Sequence, residues 1–260
     1  MNVLITNDDG YGARGLETLK QKLLENNHRV FVMAPSGNRS GVSHGMTFGS
    51  LDFVKVRENE WTCSGKPVDC VVSALRSDIF SEKIDVVISG INAGANIGTD
   101  ILYSGTCAAA RQAVMYGIPG IALSIEPAEG TSYAPPSEEL SKKYNFNGMA
   151  DFAVKNLTNL INLCRLEDKY AFVNVNALSG EKYTDAAVCK NLAQRTYRDY
   201  VKLGEKDDRG IQKSEFYGDF PFTKPDEYSD HFAVYKKMVS VSVVYAEPAA
   251  CEVDGISFSL

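Results

Sequence analysis

Two adjacent aspartates, Asp8 and Asp9, follow a short apolar segment at the start of the chain, in the run VLITNDDG. An open α/β sheet binds its ligands just beyond the carboxyl ends of its strands, where this pair would lie. Neighbouring carboxylates contribute little to packing there, but they suit a divalent cation such as magnesium, which takes oxygen ligands. A structural role stays open, because Asp8 could cap the following helix and Asp9 could close an Asx turn against Gly10.

Three later segments place hydroxyl, amide and backbone N–H groups at predicted strand ends or at a helix start. Their polar positions are Asn38, Arg39 and Ser40 in APSGNRSG, Asn92 and Asn96 in SGINAGANIG, and Ser104, Gly105 and Thr106 in YSGT. Glycines let the backbone approach a ligand, and a helix start with free amides is an anion site. Together with the aspartates, these groups suit metal-assisted phosphoryl chemistry. The asparagines could also simply support left-handed turns, and Ser104 could simply be an N-cap.

A G-x-G-x-x-G pattern, formed by Gly10, Gly12 and Gly15, follows the first strand and is typical of dinucleotide-binding proteins. Two features argue against nicotinamide binding. The aspartates directly before the glycines would face a pyrophosphate with like charge, and the second strand ends in MAP (33–35), without an acidic residue for a ribose hydroxyl. The pattern therefore favours a turn beside a cation over a dehydrogenase site.

The elements that must position these groups alternate between strand and helix. Short apolar runs predict strands at residues 3–6, 30–34, 86–89, 121–125, 172–176 and 239–245. Amphipathic or alanine-rich stretches predict helices around 16–24, from Pro67 onward, at 105–116 and at 152–163. This order is typical of a three-layer α/β/α, Rossmann-like fold with a mostly parallel sheet. Residues 46–61 have hairpin character, 126–147 form an irregular excursion, and 191–230 show no assignable pattern.

Composition narrows the class of protein further. The chain has 260 residues and a net charge of −6, which leaves no basic surface for a nucleic-acid partner. No apolar run reaches the length of a membrane span, and no signal-peptide pattern precedes the first strand. Six dispersed cysteines and three dispersed histidines argue against a zinc site and indicate reduced thiols in a cytoplasmic protein. We expect a single domain over residues 1–260.

Five runs taken together resemble the SurE family of metal-dependent 5′-nucleotidases, also called survival protein E. The runs are NDDGYGARGL (7–16), APSGNRSG (34–41), GKPVDCV (65–71), SGINAGANIG (89–98) and YSGTCAAA (103–110). The resemblance implies the family fold, with a protruding hairpin and a C-terminal extension. It also implies homodimers or homotetramers that exchange C-terminal elements between subunits. Lys66, Ala95 and Ala177 depart from the family pattern, so the base preference stays open.

The resemblance also implies the chemistry. Nucleoside 5′- and 3′-monophosphates would be hydrolysed to nucleoside and phosphate with one magnesium or manganese ion per subunit. Carried over by position, the metal ligands are Asp8, Asp9, Ser40 and Asn92, and the substrate contacts are Asn96, Ser104, Gly105 and Thr106. Asp8 and Asp9 are also the candidate catalytic residues, one of which would accept or orient the proton of the attacking water.

Other classes of protein stay open at this point. A covalent phosphatase of the haloacid-dehalogenase type would need a second aspartate two positions after its nucleophile, where this chain has Gly10 or Tyr11. A non-catalytic nucleotide-binding regulatory module could use the same loops. A short-chain polyphosphate hydrolase is a further alternative, because some family members also cleave short polyphosphate. Turnover with magnesium would separate an enzyme from a binding module.

Overall fold

The structure is a computed structural model that describes residues 1–127 and 143–248. Its strands are β1 (Asn2–Thr6), β2 (Arg29–Pro35), β3 (Phe53–Arg57), β4 (Glu60–Cys63), β5 (Val86–Ala93), β6 (Gly120–Glu126), β7 (Ala171–Leu178), β8 (Ala186–Val188), β9 (Arg195–Lys206), β10 (Gln212–Thr223) and β11 (Val239–Tyr245). Its helices are α1 (Arg14–Glu25), α2 (Pro67–Arg76), α3 (Gly105–Met115), α4 (Asn147–Lys155), α5 (Leu157–Leu163) and α6 (Asp230–Tyr235), with a 3₁₀ turn at Gly98–Leu102.

Nine of these strands form one sheet in the order β3-β4-β2-β1-β5-β6-β7-β11-β8. The run from β4 to β7 is parallel throughout, whereas β3, β11 and β8 point the opposite way. The parallel strands therefore present their carboxyl ends along a single edge of the sheet. The prediction of a mostly parallel sheet is confirmed.

Both faces of the sheet are covered by helices. Val3 and Ile5 of β1 pack in a core cluster with α1, α4 and α5, while Leu4 between them packs with α2 and α3 on the other face. Alternate side chains of one strand thus enter two separate cores, which explains why the strands are apolar without a break. The three-layer α/β/α prediction is confirmed. Across the two described ranges, no helix combines the length and the apolarity needed to cross a membrane.

Two predicted elements differ from the structure in their bounds. The single helix expected at 152–163 is wrong, because α4 and α5 meet at Asn156 instead. The Asn156 Nδ2 group donates a hydrogen bond to the carbonyl oxygen of Phe152 at 2.9 Å, and such side-chain bonds compete with helix continuation. Strand β5 runs past Ser89 to Ala93, because a bulge lets its last residues pair again with β6.

The hairpin signals resolve into two different structures. Within 46–61 and just beyond it, β3 and β4 form a hairpin, but β4 pairs in parallel with β2 and so extends the central sheet. The unassigned region 191–230 contains the long antiparallel hairpin β9–β10, which forms its own two-stranded sheet, and the start of α6. The middle of the expected 126–147 excursion, the C-terminal extension beyond residue 248 and Cys251 lie outside the described residues. The other five cysteines carry free thiols.

Candidate metal and phosphate site

Asp8 lies beyond the carboxyl end of β1, against the first turn of α3. Its Oδ1 accepts a hydrogen bond from Thr106 Oγ1 at 2.6 Å, and both side chains are buried. The backbone N–H groups of Gly105 and Thr106 also interact with the carboxylate. This approach depends on glycine, because a Cβ at Gly105 would lie 3.0 Å from Asp8 Cβ. The helix dipole favours negative charge at this position.

Asp9 contacts the end of β5 instead. Its Oδ2 accepts a hydrogen bond from the N–H of Ala93 at 3.3 Å, and Ala93 directly follows Asn92. Burial, and after it the charge of Asp8, raises the pKa of Asp9 to about 7. Burial also raises the pKa of Asp8, although the hydrogen bond from Thr106 opposes this effect. The two carboxyl groups therefore resist carrying negative charge side by side.

The pair fits a divalent cation by its charge and by its donor atoms. In the described part of the chain, neither carboxylate forms an ion pair with a lysine, arginine or histidine. Buried charges are ordinarily paired or bound to a metal. Residues 1–127 and 143–248 contain no cluster of three or more His, Cys, Asp or Glu side chains that could hold a metal ion. A cation at Asp8 and Asp9 would therefore take its further ligands from hydroxyl or amide oxygens or from water, which is compatible with magnesium or manganese.

The loop after β2, which carries Ser40, is bonded to the end of β1 at the neighbouring residue Arg39. The N–H of Arg39 donates to the carbonyl oxygen of Asp8 at 2.7 Å, which ties the loop to the end of β1. Ser40 itself is exposed, and its N–H donates to Asn38 Oδ1 at 2.8 Å. The guanidinium of Arg39 anchors the loop from the other side, with its Nε donating to the carbonyl oxygen of Gly65 at 3.2 Å. The arginine thus has a structural role in anchoring this loop.

The loop after β5 carries the two candidate asparagines, which have different surroundings. Asn92 is half-buried, and its Nδ2 donates to the carbonyl oxygen of Gly94 at 2.7 Å. That bond leaves the amide oxygen of Asn92 as the group available to a cation beside Asp9. Asn96 is buried, and its Nδ2 donates to Ser124 Oγ at 2.7 Å. Asn92 therefore directly precedes the residue whose N–H bonds Asp9, whereas the amide nitrogen of Asn96 is engaged inside the fold.

Two buried asparagines of β7 fix the backbone of this loop at Asn96. Its N–H donates to Asn176 Oδ1 at 2.7 Å, and its carbonyl oxygen accepts from Asn174 Nδ2 at 2.8 Å and from Asn176 Nδ2 at 3.1 Å. The sequence analysis missed both residues. A signal was available, because they alternate with valines in the strand FVNVNAL, where an apolar strand has no packing reason for amides.

Ser104 acts as the N-cap of α3. Its Oγ accepts a hydrogen bond from the N–H of Cys107 at 3.0 Å, and the side chain is buried. The groups of this segment that remain suited to an anion are the backbone amides of the first helical turn, which also interact with Asp8. Asp8 thus lies in direct contact with Gly105 and Thr106, two of the candidate phosphate-binding residues.

The glycine pattern after β1 has a local structural cause. Gly10 has φ = +105°, and a Cβ there would lie 2.9 Å from the carbonyl carbon of Gly37. A Cβ at Gly15 would lie 1.9 Å from the carbonyl oxygen of Ile91, so α1 can approach β5 only without a side chain at that position. These glycines serve a turn beside Asp9 and close helix packing.

The fold and the site define an α/β protein with an acidic, oxygen-rich site at the carboxyl edge of a parallel sheet, next to a helix start suited to an anion. The family model of survival protein SurE matches residues 3–199. The chain therefore belongs to the SurE family.

Individual relatives are similar over most of the chain. The 5′-nucleotidase SurE of Treponema pallidum is 43% identical over 195 residues, which cover 73% of this chain and 97% of that protein. The 5′-nucleotidase SurE of Kosmotoga olearia is 35% identical over 254 residues, which cover 95% and 92%. The crystal structure of the SurE protein from Aquifex aeolicus superposes with a TM-score of 0.75 at 30% identity, covering 96% of this chain and 95% of that one.

Proposed function

We propose that this protein hydrolyses nucleoside 5′-monophosphates, and also 3′-monophosphates, to nucleoside and phosphate at the Asp8–Asp9 site. The observation that carries the proposal is a carboxylate pair without a cationic partner in the described residues, in which Asp8 is buried against the first turn of α3 and Asp9 is half-buried against the end of β5. The chain is a metal-dependent nucleotide phosphomonoesterase, as its family and the names of its relatives support. A non-catalytic binding module is not favoured, because those relatives are nucleotidases.

Four residues would hold one magnesium or manganese ion per subunit. Asp8 and Asp9 supply carboxylate oxygens, Ser40 a hydroxyl and Asn92 its amide oxygen, from loops that the bonds of Arg39 and Ala93 tie to the aspartates. When bound, such an ion polarises a phosphoryl oxygen and lowers the pKa of water.

The chain's own groups would perform the remaining steps. The N–H groups of Gly105 and Thr106 would bind the phosphate oxygens and stabilise the charge that develops on them, with the second Nδ2 hydrogen of Asn96, the one that Ser124 does not accept, as a further donor. One carboxylate of the aspartate pair accepts the proton of the attacking water, whose oxygen forms the new bond to phosphorus. The bond from phosphorus to the nucleoside oxygen breaks, and that oxygen takes up a proton from solvent, while the carboxyl group returns its own proton to solvent and is again a carboxylate. Ser104 positions the cradle as the N-cap of α3.

The assembly and the location of the protein belong to the same proposal. We expect a homodimer or homotetramer in the cytoplasm, without a nucleic-acid or membrane partner. The exposed hairpin β9–β10 and the net charge of −6 support this expectation.

The test of the function is Asp9→Asn, which keeps one oxygen donor but removes a negative charge. Steady-state kinetics on adenosine 5′-monophosphate at saturating magnesium should show kcat and kcat/KM reduced together by at least about a hundredfold, because the lost group acts in the transition state. Activity of the unaltered protein should disappear in EDTA. The thermal midpoint of the variant in EDTA should be unchanged or higher, because one of two repelling carboxylates is gone.

The matched control is Asp78→Asn, which removes a charge from an exposed aspartate after α2. It should leave the kinetics unchanged. If Asp9→Asn folds normally, as measured by circular dichroism, and keeps the kcat of the unaltered protein, the aspartate pair is a structural turn and the proposed site is wrong.

A further inference from the structure

An exposed aromatic ring lies at the edge of the proposed phosphate cradle. Tyr103 directly precedes Ser104, the N-cap of α3, and 56% of its surface is exposed. Only Ser104 lies between Tyr103 and Gly105, so their Cα atoms are no more than about 7.6 Å apart. A tyrosine side chain is long enough to cover the space in front of the amides of Gly105 and Thr106. More than half of this ring is left open to a ligand.

The backbone of Tyr103 is fixed on both sides. Its N–H donates to the carbonyl oxygen of Asp100 at 3.0 Å, within the 3₁₀ turn. Its carbonyl oxygen accepts from the N–H of Ser43 at 3.0 Å, and Ser43 Oγ donates to the carbonyl oxygen of Leu102 at 2.6 Å. Because the ring is attached to a segment held in this way, stacking of a ligand on it costs the protein little conformational entropy.

A second aromatic side chain orients the ring from another element. Tyr197 of β9 meets Tyr103 with the ring centroids 5.8 Å apart and the planes at 86°. The first residue of β9, Arg195, contacts the 3₁₀ turn. Its N–H donates to Thr99 Oγ1 at 3.0 Å, and its side chain forms an ion pair with Asp100. Edge-to-face pairs of this kind are favourable, and this pair leaves more than half of Tyr103 accessible.

We propose that Tyr103, with its ring oriented by Tyr197, stacks on the base of the nucleotide whose phosphate is bound at the start of α3. The inference rests on the proposed function and extends it from the phosphate to the nucleoside. Stacking on an aromatic face tolerates every base, because each base has a π-face. The subsite therefore favours nucleotides over base-free phosphate esters, favours purines over pyrimidines by contact area, and discriminates little between adenine and guanine.

The experiment compares adenosine 5′-monophosphate with ribose 5-phosphate, which lacks the base, in the full-length protein with magnesium. Tyr103→Ala should raise KM for the nucleotide about tenfold, the scale of one lost stacking contact. The kcat of this variant for the nucleotide should stay within about twofold of that of the unaltered protein, because the phosphate site is intact. The same should hold for its kcat and KM for ribose 5-phosphate. Tyr103→Phe keeps the ring and should behave like the unaltered protein.

The matched control is Tyr245→Ala. Tyr245 is 52% exposed, nearly as much as Tyr103, but it pairs with Ala171 at the amino end of β7, away from the proposed site at the carboxyl ends of the parallel strands. The kinetic constants for both substrates should therefore be unchanged. The proposal is overturned if Tyr103→Ala leaves the kinetic constants for both substrates unchanged. It is also overturned if kcat/KM falls equally for both, since an equal loss would mean that the phosphate site is distorted.

A binding measurement separates this inference from the proposed function. Equilibrium dialysis of labelled adenosine, with magnesium and inorganic phosphate present, should give a Kd about tenfold higher for Tyr103→Ala than for Tyr103→Phe. Equal Kd values for the two variants overturn the stacking subsite even if the nucleotide is hydrolysed. A difference in Kd without any turnover of nucleotide by the unaltered protein would support the subsite and overturn the proposed function alone.

Discussion

At the scale of single residues, the hydroxyl of Thr106 is used in an unexpected way. The sequence analysis assigned Thr106 to the phosphate, but in the structure its Oγ1 donates to Asp8 Oδ1 at 2.6 Å. Both side chains are buried, so the hydroxyl has no competing water and fixes the carboxylate in one orientation. The backbone N–H of the same residue is the group that can serve the phosphate. One residue thus links the proposed metal ligand to the proposed anion cradle.

Thr106→Val tests this role, because valine keeps the shape of threonine and removes only the hydroxyl. A hydrogen bond to a charged group contributes about 1.5 to 3 kcal/mol. We therefore expect kcat/KM to fall about tenfold to a hundredfold. The magnesium concentration that gives half-maximal activity should rise. Thr106→Ser restores the donor and should recover most of the activity. Unchanged magnesium dependence in a correctly folded Thr106→Val protein would show that the hydroxyl does not position Asp8.

At the scale of elements, the strands and helices that could be predicted from the sequence are those whose burial requires apolar residues at regular positions. The runs of β1, β2 and β5 are apolar because they are buried on both faces, and α1 shows Leu16, Leu19 and Leu23 on one buried side. The hairpin β9–β10 is exposed over most of its length, so burial imposes no alternation that a sequence could show. The support of Asn96 by Asn174 and Asn176 was missed because it joins positions about 80 residues apart.

The 3₁₀ turn at Gly98–Leu102 is the element that connects the site to the hairpin. Gly98 has φ = +56°, and a Cβ there would lie 1.9 Å from the carbonyl oxygen of Ala193. The N–H of Gly98 donates to Asp230 Oδ2 at 2.8 Å, and Asp230 Oδ1 accepts from the N–H of Ala193 at 2.9 Å. A side chain at Gly98 must therefore push the turn away from Ala193, which lies just before the first strand of the hairpin.

Gly98→Ala should lower the free energy of unfolding by at least about 3 kcal/mol, because backbone strain and a backbone clash add together. The control is Gly117→Ala, whose φ is +75° but whose Cβ would meet nothing within 4 Å. It isolates the conformational strain and should cost about 1 to 2 kcal/mol. Urea unfolding measures both values. Equal losses in the two variants would mean that the turn and the hairpin are not tightly packed at Gly98.

At the scale of the whole molecule, the hairpin β9–β10 extends apolar side chains away from the two cores. Val201 and Phe216 face each other across the strands and are 53% and 68% exposed. Lys202 and Glu215, the next cross-strand pair, lie on the opposite face of the hairpin. Exposed apolar groups on an isolated two-stranded sheet are typical of a surface that another chain covers, and such a ribbon is marginally stable alone.

The double variant Val201→Lys with Phe216→Glu tests whether a second copy of the chain covers this face. The new side chains form a cross-strand ion pair, so the hairpin keeps its register while its apolar surface is lost. We expect light scattering after gel filtration to show a smaller oligomer or a monomer, because buried charges oppose association. The charge swap Lys202→Glu with Glu215→Lys preserves a cross-strand pair on the other face and should leave the oligomer intact. If the double variant keeps the mass of the unaltered protein while the circular dichroism spectrum is unchanged, the subunits associate through a different surface and the hairpin face serves another purpose.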